Sequence, residues 1–373
     1  MNKFRLKTQV VQCDTFEEFA KEFKLCDSDL IFTHQFLYDD YIASLNLPCH
    51  KMFQEKYGTG EPADYMVDHI FKDLADIRID RIIAIGGGTV IDIAKLLTIK
   101  NATCTEDIYE DKIPIEREKK LIIVPTTCGT GSEMSSIAVV DIAKRKSKIG
   151  KSVDAFFADY AVLIPDLLTT LPYPIFLHCT IDALVHAMEI YVSPKSNEFN
   201  DAFCESAIRK IVSGFKEVNE KGPDVWLTRK KDYLIASCMA GAAMANTACG
   251  AVHACAMHFG STHHVPHGEA NYNFLISVFM AYAKLQPKGK ISDIAALING
   301  ALGIKAAPSE SFEALDKLLN SLIPRKPLRE YGMKEEDIDA YVDKVIEMQQ
   351  RLLTNSYVLL SKDDLKGIYR ESY

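Results

Sequence analysis

Arg81-Ile82-Ile83-Ala84-Ile85-Gly86-Gly87-Gly88-Thr89-Val90-Ile91-Asp92-Ile93-Ala94-Lys95 passes from strand to turn to helix without a spacer. The apolar run before the glycines shows no polar alternation, so it reads as a strand buried on both faces. A helical pattern runs from Val90 to Ile99. Strand, turn and helix joined this tightly form one unit of a parallel sheet. Glycine lets the backbone approach a phosphate and take positive φ. The helix start adds free N–H groups and the positive end of a dipole, and Thr89 adds a hydroxyl. The pattern is neither GxGxxG nor a P-loop. The same residues serve equally well as a plain tight turn. Asp92, one helical turn on, either orients that turn or is an ordinary solvated residue.

Working outward, Leu30–Thr33, Leu121–Val124 and Ala161–Ile164 are further strand-like runs. Pro125-Thr126-Thr127-Cys128-Gly129-Thr130-Gly131-Ser132-Glu133 follows the second of these. Its hydroxyls and bare backbone N–H groups can line a nucleotide, although a plain polar loop has the same composition. Two such loops, each after a parallel strand, favour a nucleotide crevice.

From about Leu177 onward the pattern becomes helical, over Ile181–Val192, Lys231–Ala245, Phe312–Leu322, Glu335–Leu352 and Lys362–Tyr369. The change falls near Pro172-Tyr173-Pro174. The reading is an α/β domain over residues 1–174 and an all-α domain over 175–373, a pairing whose cleft often holds ligands. The 373 residues suit two domains, and 48% hydrophobic content suits full-sized cores. A net charge of -8 argues against a nucleic-acid binder. Ten scattered cysteines without a CxxC pair read as reduced, mostly buried thiols. Met1-Asn2-Lys3-Phe4-Arg5 lacks a signal-peptide character, and no apolar run reads as a membrane span. The expected location is the cytoplasm.

Asp182 and His186 stand four apart, on one face of a predicted helix. Alone, such a pair is more often a hydrogen-bonded pair than a metal site. Six of the ten histidines fall between His186 and His267, including His253 in a small-residue helical stretch. One Asp with three His suits Fe(II) or Zn(II) and leaves a position for substrate. His258, five residues after His253, lies about 140° round a helix axis from it. His263 and His264 read as surface or supporting residues.

Taken together, these pieces resemble the iron-containing alcohol dehydrogenase family, collinearly over nearly the whole chain. Gly86 to Lys95 looks like its GGGSxxDxAK motif, with Thr89 for Ser. Pro125 to Glu133 looks like PTTxGTGSE. Asp182-Ala183-Leu184-Val185-His186-Ala187-Met188-Glu189 looks like D-A-x-x-H-A-x-E, and His253 and His267-Gly268 stand where the family has its last two metal ligands. The resemblance implies the iron-type alcohol dehydrogenase fold shared with dehydroquinate synthases: an α/β dinucleotide-binding domain and an all-α metal-binding domain. It implies that Gly86, Gly87, Gly88 and Thr89 hold the pyrophosphate of NAD, with Asp92 beside them. It places Thr126, Thr127, Thr130 and Ser132 on the nicotinamide side and Lys148 against the cofactor. It gives Asp182, His186, His253 and His267 to a divalent metal, Fe(II) before Zn(II), through which they act in catalysis. A homodimer acting on a small molecule is what the family suggests.

Phe53-Gln54-Glu55-Lys56-Tyr57-Gly58, His264 to Tyr272 and Arg325 to Met333 look closer to one branch, the NAD-dependent 4-hydroxybutyrate dehydrogenases. That resemblance alone names succinate semialdehyde as the carbonyl partner. Butanol-, 1,3-propanediol- and lactaldehyde-type dehydrogenases are the nearer alternatives, and a metal- and NAD-dependent lyase or a catalytically dead sensor the more distant ones. Two departures stand out. Many members carry a second histidine four residues after the one at His253; here that residue is Met257. The family often has an acid after its first strand, disfavouring a 2′-phosphate on the cofactor; here His34 stands there, and NAD rests on the branch resemblance. A carboxylate substrate also needs a cationic partner, for which Arg325, Lys326 and Arg329 are candidates.

Overall fold

The computed structural model describes residues 4–145 and 147–373; the first three residues of the N-terminal stretch read above lie outside them. The chain divides into two compact units, Leu6–Leu171 and Pro172–Tyr373, with Phe4 and Arg5 grouped with the second.

In the first unit, β1 (Gln9–Gln12), β2 (Asp29–Thr33), β3 (His50–Phe53), β4 (Arg81–Gly86), β5 (Lys120–Pro125) and β8 (Tyr160–Leu163) form one sheet, while β6 (Ile137–Ile142) and β7 (Ser147–Ser152) form an antiparallel hairpin. The sheet order is β1-β8-β5-β4-β2-β3, with every pairing parallel. The helices are α1 (Phe16–Glu22), α2 (Gln35–Tyr41), α3 (Asp64–Leu74), α4 (Gly88–Leu97) and the short α5 (Thr105–Tyr109). The apolar runs named above became the four interior strands. Ile82, Ala84, Leu121 and Ile123 pack into the layer of α3 and α4, whereas Ile83, Ile85, Ile122 and Val124 pack against Phe16 and Phe19 of α1. Both faces are dry, which is why these strands carry no polar alternation. Burying each of the Ile, Leu, Val and Phe side chains contributes about 1.5–3 kcal/mol. The edge strands β1 and β3 and the hairpin escape the pattern. An edge strand is half solvated, so Gln9, Gln12, His50 and Lys51 are tolerated there.

The register sets the two loops side by side. Gly86 lies opposite Pro125, and the Thr126 N–H donates to the Gly86 carbonyl at 3.1 Å. The glycine turn and the threonine loop therefore leave the same end of the sheet as neighbours.

The second unit is helical: α6 (Tyr173–Val192), α7 (Glu198–Lys221), α8 (Lys230–Met244), α9 (Ala251–His263), α10 (His267–Leu285), α11 (Lys290–Leu302), α12 (Pro308–Leu322), α13 (Ile338–Met348), α14 (Gln350–Leu353) and α15 (Lys362–Ser372). The helix read from Ile181 starts at Tyr173, with Pro174 in its first turn, where a missing N–H costs nothing. Helix α7 is capped by Asn197, whose side chain accepts from the Phe199 and Asn200 N–H groups. The expectation that no run could span a bilayer needs correcting: α6 is long and apolar enough by length and composition. It is instead the central helix of this unit, buried among α7, α8 and α10. That burial explains its apolar character on every side.

Candidate functional site

Asp182 and His186 project from the same face of α6, and both are buried. His253 lies in the first turn of α9, and His267 is the first residue of α10. Helix α10 approaches α6 closely because residue 268 is glycine; a Cβ there would sit 2.5 Å from the His178 carbonyl oxygen. Adding that methyl group would push His267 away.

The four side chains converge. The Nε2 atoms of His186 and His253 are 3.0 Å apart, and His267 Nε2 is 3.7 Å from Asp182 Oδ1. One ligand atom from each of the four lies within 4.8 Å of the others. Metal–nitrogen bonds of about 2.0 Å place neighbouring ligands of a tetrahedral ion roughly 3.3 Å apart, a spacing that 3.0 and 3.7 Å straddle. Two neutral imidazole nitrogens cannot face each other at this distance as acceptors unless a proton or a cation lies between them. The donor set therefore fits a divalent metal.

Three residues that the sequence reading gave no role hold this cluster. Glu189, three residues after His186 on α6, is buried; its Oε2 lies 2.7 Å from His253 Nδ1, and its Oε1 accepts the Val252 N–H at 2.6 Å. A carboxylate on Nδ1 fixes the tautomer that leaves Nε2 for a cation. Asn271, one turn after His267, donates its amide to Asp182 Oδ1 at 2.7 Å and lies within 3.2 Å of His253 and His267 Nε2. Helical spacing was the available signal for Glu189 and Asn271. Cys249 lies four residues before His253, just ahead of the start of α9, and with Glu189 and His253 it forms a second convergent group. Both Glu189 oxygens there already accept N–H groups, so this group supports His253.

Burial opposes charge throughout, but the neighbours prevail. At Asp182 the three imidazoles and the Asn271 amide hold the carboxyl below its ordinary value. Against burial, Asp182 raises His186, and Cys249 and Glu189 raise His253 well above the usual imidazole range. Burial pushes the Cys249 thiol up, yet His253 and His186 bring it down to about 7. The site attracts positive charge, which protons or a metal can supply.

The other histidines point elsewhere. His258 packs on Tyr341, ring centroids 4.8 Å apart, and Met257 is exposed. His263 Nε2 meets the Tyr341 hydroxyl at 2.7 Å, and His264 ends α9 in the left-handed region at φ 54°. None of these joins the four-residue cluster.

In the first unit, Gly86 is sterically required: a Cβ would lie 2.6 Å from Val90 Cγ2. Cβ atoms at Gly87 and Gly88 would come within 3.3 Å of Thr127 and Thr130, so bare backbone lies beneath the threonine loop. The N–H groups of the first turn of α4 have no preceding helical carbonyl. That cradle fits a pyrophosphate. The Thr89 hydroxyl donates to the Gly60 carbonyl at 3.0 Å, and Lys148 on β7 pairs with Glu61. Thr126 is buried, and Thr130 Oγ1 accepts the Ser132 N–H at 3.3 Å. Ser132 and Asp92 turn inward. Ser132 donates to Asp92 Oδ1 at 2.7 Å and accepts from buried Lys95 at 2.6 Å, while Asp92 Oδ2 accepts the Val139 N–H at 3.0 Å. These two brace the turn and the loop against each other. His34 follows β2, with its Nδ1 3.0 Å from Glu55 Oε1.

Comparison with known proteins gives the same outline. Residues 7–165 match the iron-containing alcohol dehydrogenase family, and residues 176–373 match the C-terminal region of the Fe-containing alcohol dehydrogenase family. The chain is 45% identical over 373 residues to 4-hydroxybutyrate dehydrogenase of Clostridium kluyveri, covering 100% of both chains. It is 28% identical over 312 residues to long-chain-alcohol dehydrogenase 1 of Geobacillus thermodenitrificans, covering 80% of this chain and 76% of that one. Among solved structures, sulfoacetaldehyde reductase of Bifidobacterium kashiwanohense, in complex with NAD+, has the same fold: TM-score 0.87 at 20% identity, covering 100% and 98% of the two chains.

Proposed function

The chain belongs to the iron-containing alcohol dehydrogenases, and from that membership we propose that it interconverts 4-hydroxybutyrate and succinate semialdehyde with NAD(H). The observation that carries the substrate is the 45% identity, end to end, with a 4-hydroxybutyrate dehydrogenase. We assign the metal to Asp182, His186, His253 and His267, and the cofactor pyrophosphate to the turn from Gly86 to Thr89. When bound, the metal supplies Lewis acidity at the substrate oxygen and NAD accepts the hydride. The chain's own part is to position and to hold charge. Glu189 aims His253, Asn271 aims Asp182, and the buried surroundings strengthen both contacts. A homodimer in the cytoplasm is the setting that the family suggests.

Of the three candidate partners for the substrate carboxylate, two are committed. Arg325 lies 3.3 Å from Asp316, and Arg329 donates to the C-terminal Tyr373 at 2.5 Å. Lys326 pairs with no carboxylate among the described residues and lies over the Tyr331 ring, 5.7 Å from its centroid. The Tyr331 hydroxyl donates to Glu269 at 2.7 Å, and Glu269 Oε2 is 4.0 Å from His178 Nδ1, one helical turn before Asp182. We assign the carboxylate to Lys326 on this placement. The test loads the protein with Fe(II) or Zn(II) and follows NADH oxidation with succinate semialdehyde and with uncharged butyraldehyde. Metal-dependent oxidation should be much faster with the semialdehyde, and Lys326→Met should remove the preference. Equal rates with both aldehydes would discard the substrate, and no oxidation by metal-loaded protein would discard the activity.

A further inference from the structure

In nucleotide-binding sheets of this kind, the strand beside the glycine turn ends at the ribose of the adenosine. A carboxylate there accepts the 2′-hydroxyl of NAD and repels the 2′-phosphate of NADP. Beside β4 that strand is β2: Phe32 pairs with Ala84, and the Thr33 hydroxyl donates to the Ile85 carbonyl at 2.8 Å, one residue before Gly86. The next residue is His34, which cannot repel a phosphate. Resting on the NAD reading above, we propose that Glu55, delivered from the neighbouring strand β3, supplies the missing carboxylate and makes the site selective for a dinucleotide with a free 2′-hydroxyl.

The geometry brings Glu55 to that point from the next edge of the sheet. Strand β3 pairs with β2 up to Phe53 opposite Thr33, and a short 3-10 turn, Gln54–Lys56, carries Glu55 across the end of β2. Glu55 Oε1 is 3.0 Å from His34 Nδ1 and accepts the Gln35 N–H at 3.3 Å; Oε2 lies 3.4 Å from the same nitrogen. The carboxylate is thus held at the start of α2 by two neighbours. An ionised carboxylate has about four acceptor positions, and the Glu55 side chain remains 39% exposed. It can accept a ribose hydroxyl as well. The nearby lysines are committed elsewhere: Lys56 to Asp73 at 2.6 Å, and Lys51 over the Tyr38 ring, 4.9 Å from its centroid. No lysine or arginine pairs with Glu55 among the described residues, so while its His34 partner is neutral nothing offsets its repulsion of a 2′-phosphate. Glu55 lies in the same Phe53–Gly58 stretch that the family motifs leave without a role.

The test is calorimetric titration of the metal-loaded protein with NAD+ and with NADP+. The parent protein should bind NAD+ and discriminate against NADP+. Glu55→Gln should tighten NADP+ binding about tenfold or more by removing a charge beside the phosphate. It should weaken NAD+ only about threefold, because the amide oxygen still accepts a hydroxyl. His34→Asp in the Glu55→Gln background should restore the discrimination by returning a carboxylate to the end of β2. Unchanged NADP+ affinity in Glu55→Gln, with NAD+ still bound, would overturn the assignment and leave the NAD reading standing. So would failure of His34→Asp to restore discrimination in protein whose melting temperature matches the parent. A parent protein that binds neither dinucleotide would overturn the cofactor reading itself.

Discussion

Helices α4 and α6 bury the same local device and put it to different ends. Each carries an aspartate with a nitrogenous side chain one turn later: Asp92 with Lys95, Asp182 with His186. In α4 the protein provides its own cation. Lys95 Nζ is fully buried and donates to Ser132 Oγ at 2.6 Å, the Ile137 carbonyl at 2.6 Å and Ser135 Oγ at 3.2 Å, with Asp92 Oδ1 at 3.4 Å. In α6 the charged groups that act on Asp182 are three imidazoles, with no lysine or arginine among them. A buried carboxylate must be compensated. One cluster is closed and braces two loops; the other leaves its nitrogens facing one another, a donor set that a cation from solution would complete. The difference between the brace and the proposed metal centre lies in whether the chain brings its own ammonium group, one that burial pulls below the usual lysine range while Asp92 and Glu133 oppose that pull.

The comparison breaks most sharply at His186. His186→Ala should remove the metal and lower turnover about a thousandfold or more, while the chain stays folded. Metal analysis beside NADH oxidation reads both. Full occupancy with undiminished turnover would mean that the α6 cluster is only another internal brace. Lys95→Met should do the opposite. It leaves Asp92 buried without its cation, a loss of about 3–5 kcal/mol in urea unfolding, while metal content per folded chain stays at the parent level. Adding Asp92→Asn should recover much of that loss, because the two residues act as one unit. A loss below about 1 kcal/mol from Lys95→Met would show that Asp92 needs no lysine.

The sequence shows these clusters unevenly, for physical reasons. Interior strands such as β4 and β5 must be apolar on both faces, so Ile82–Ile85 and Leu121–Val124 announce themselves. Edge strand β3 and the β6–β7 hairpin keep a wet side and mix Lys, Ser and Asp with apolar residues, which removes the signal. Asp182 and His186 were legible as a pair because one helix spaces them. His253 and His267 come from other helices, and only resemblance to a known family joined them. Glu189 and Asn271 were within reach, three and four residues from a proposed ligand on the same helix. Cys249 is equally near in sequence, four residues before His253, but it stands ahead of the start of α9, so helical spacing does not say that its thiol turns onto that ring. Ser132 and Asp92 show the converse: a motif marks residues that matter without saying that their side chains turn inward onto Lys95.

Glu133 offers the finest test of how closed the α4 cluster is. It is buried at the end of the threonine loop, and its Oε1 has no hydrogen-bond partner. Burial raises its carboxyl from the ordinary 4.5 to about 7, even though its own backbone N–H and Lys95 pull the other way. Between those two values the folded chain holds a proton that the unfolded chain has released. The stability from this group is therefore complete below 4.5 and lost as the pH rises through about 7, at most roughly 3 kcal/mol. Glu133→Gln keeps the shape and removes the titration. Urea midpoints for parent and variant should nearly coincide at about pH 4.5, and the variant should be the more stable by roughly 1–3 kcal/mol at about pH 8. Parallel curves across that range would mean that Glu133 stays ionised beside Lys95. The lysine would then be shared between two carboxylates, and the closed cluster would be as charge-hungry as the one on α6.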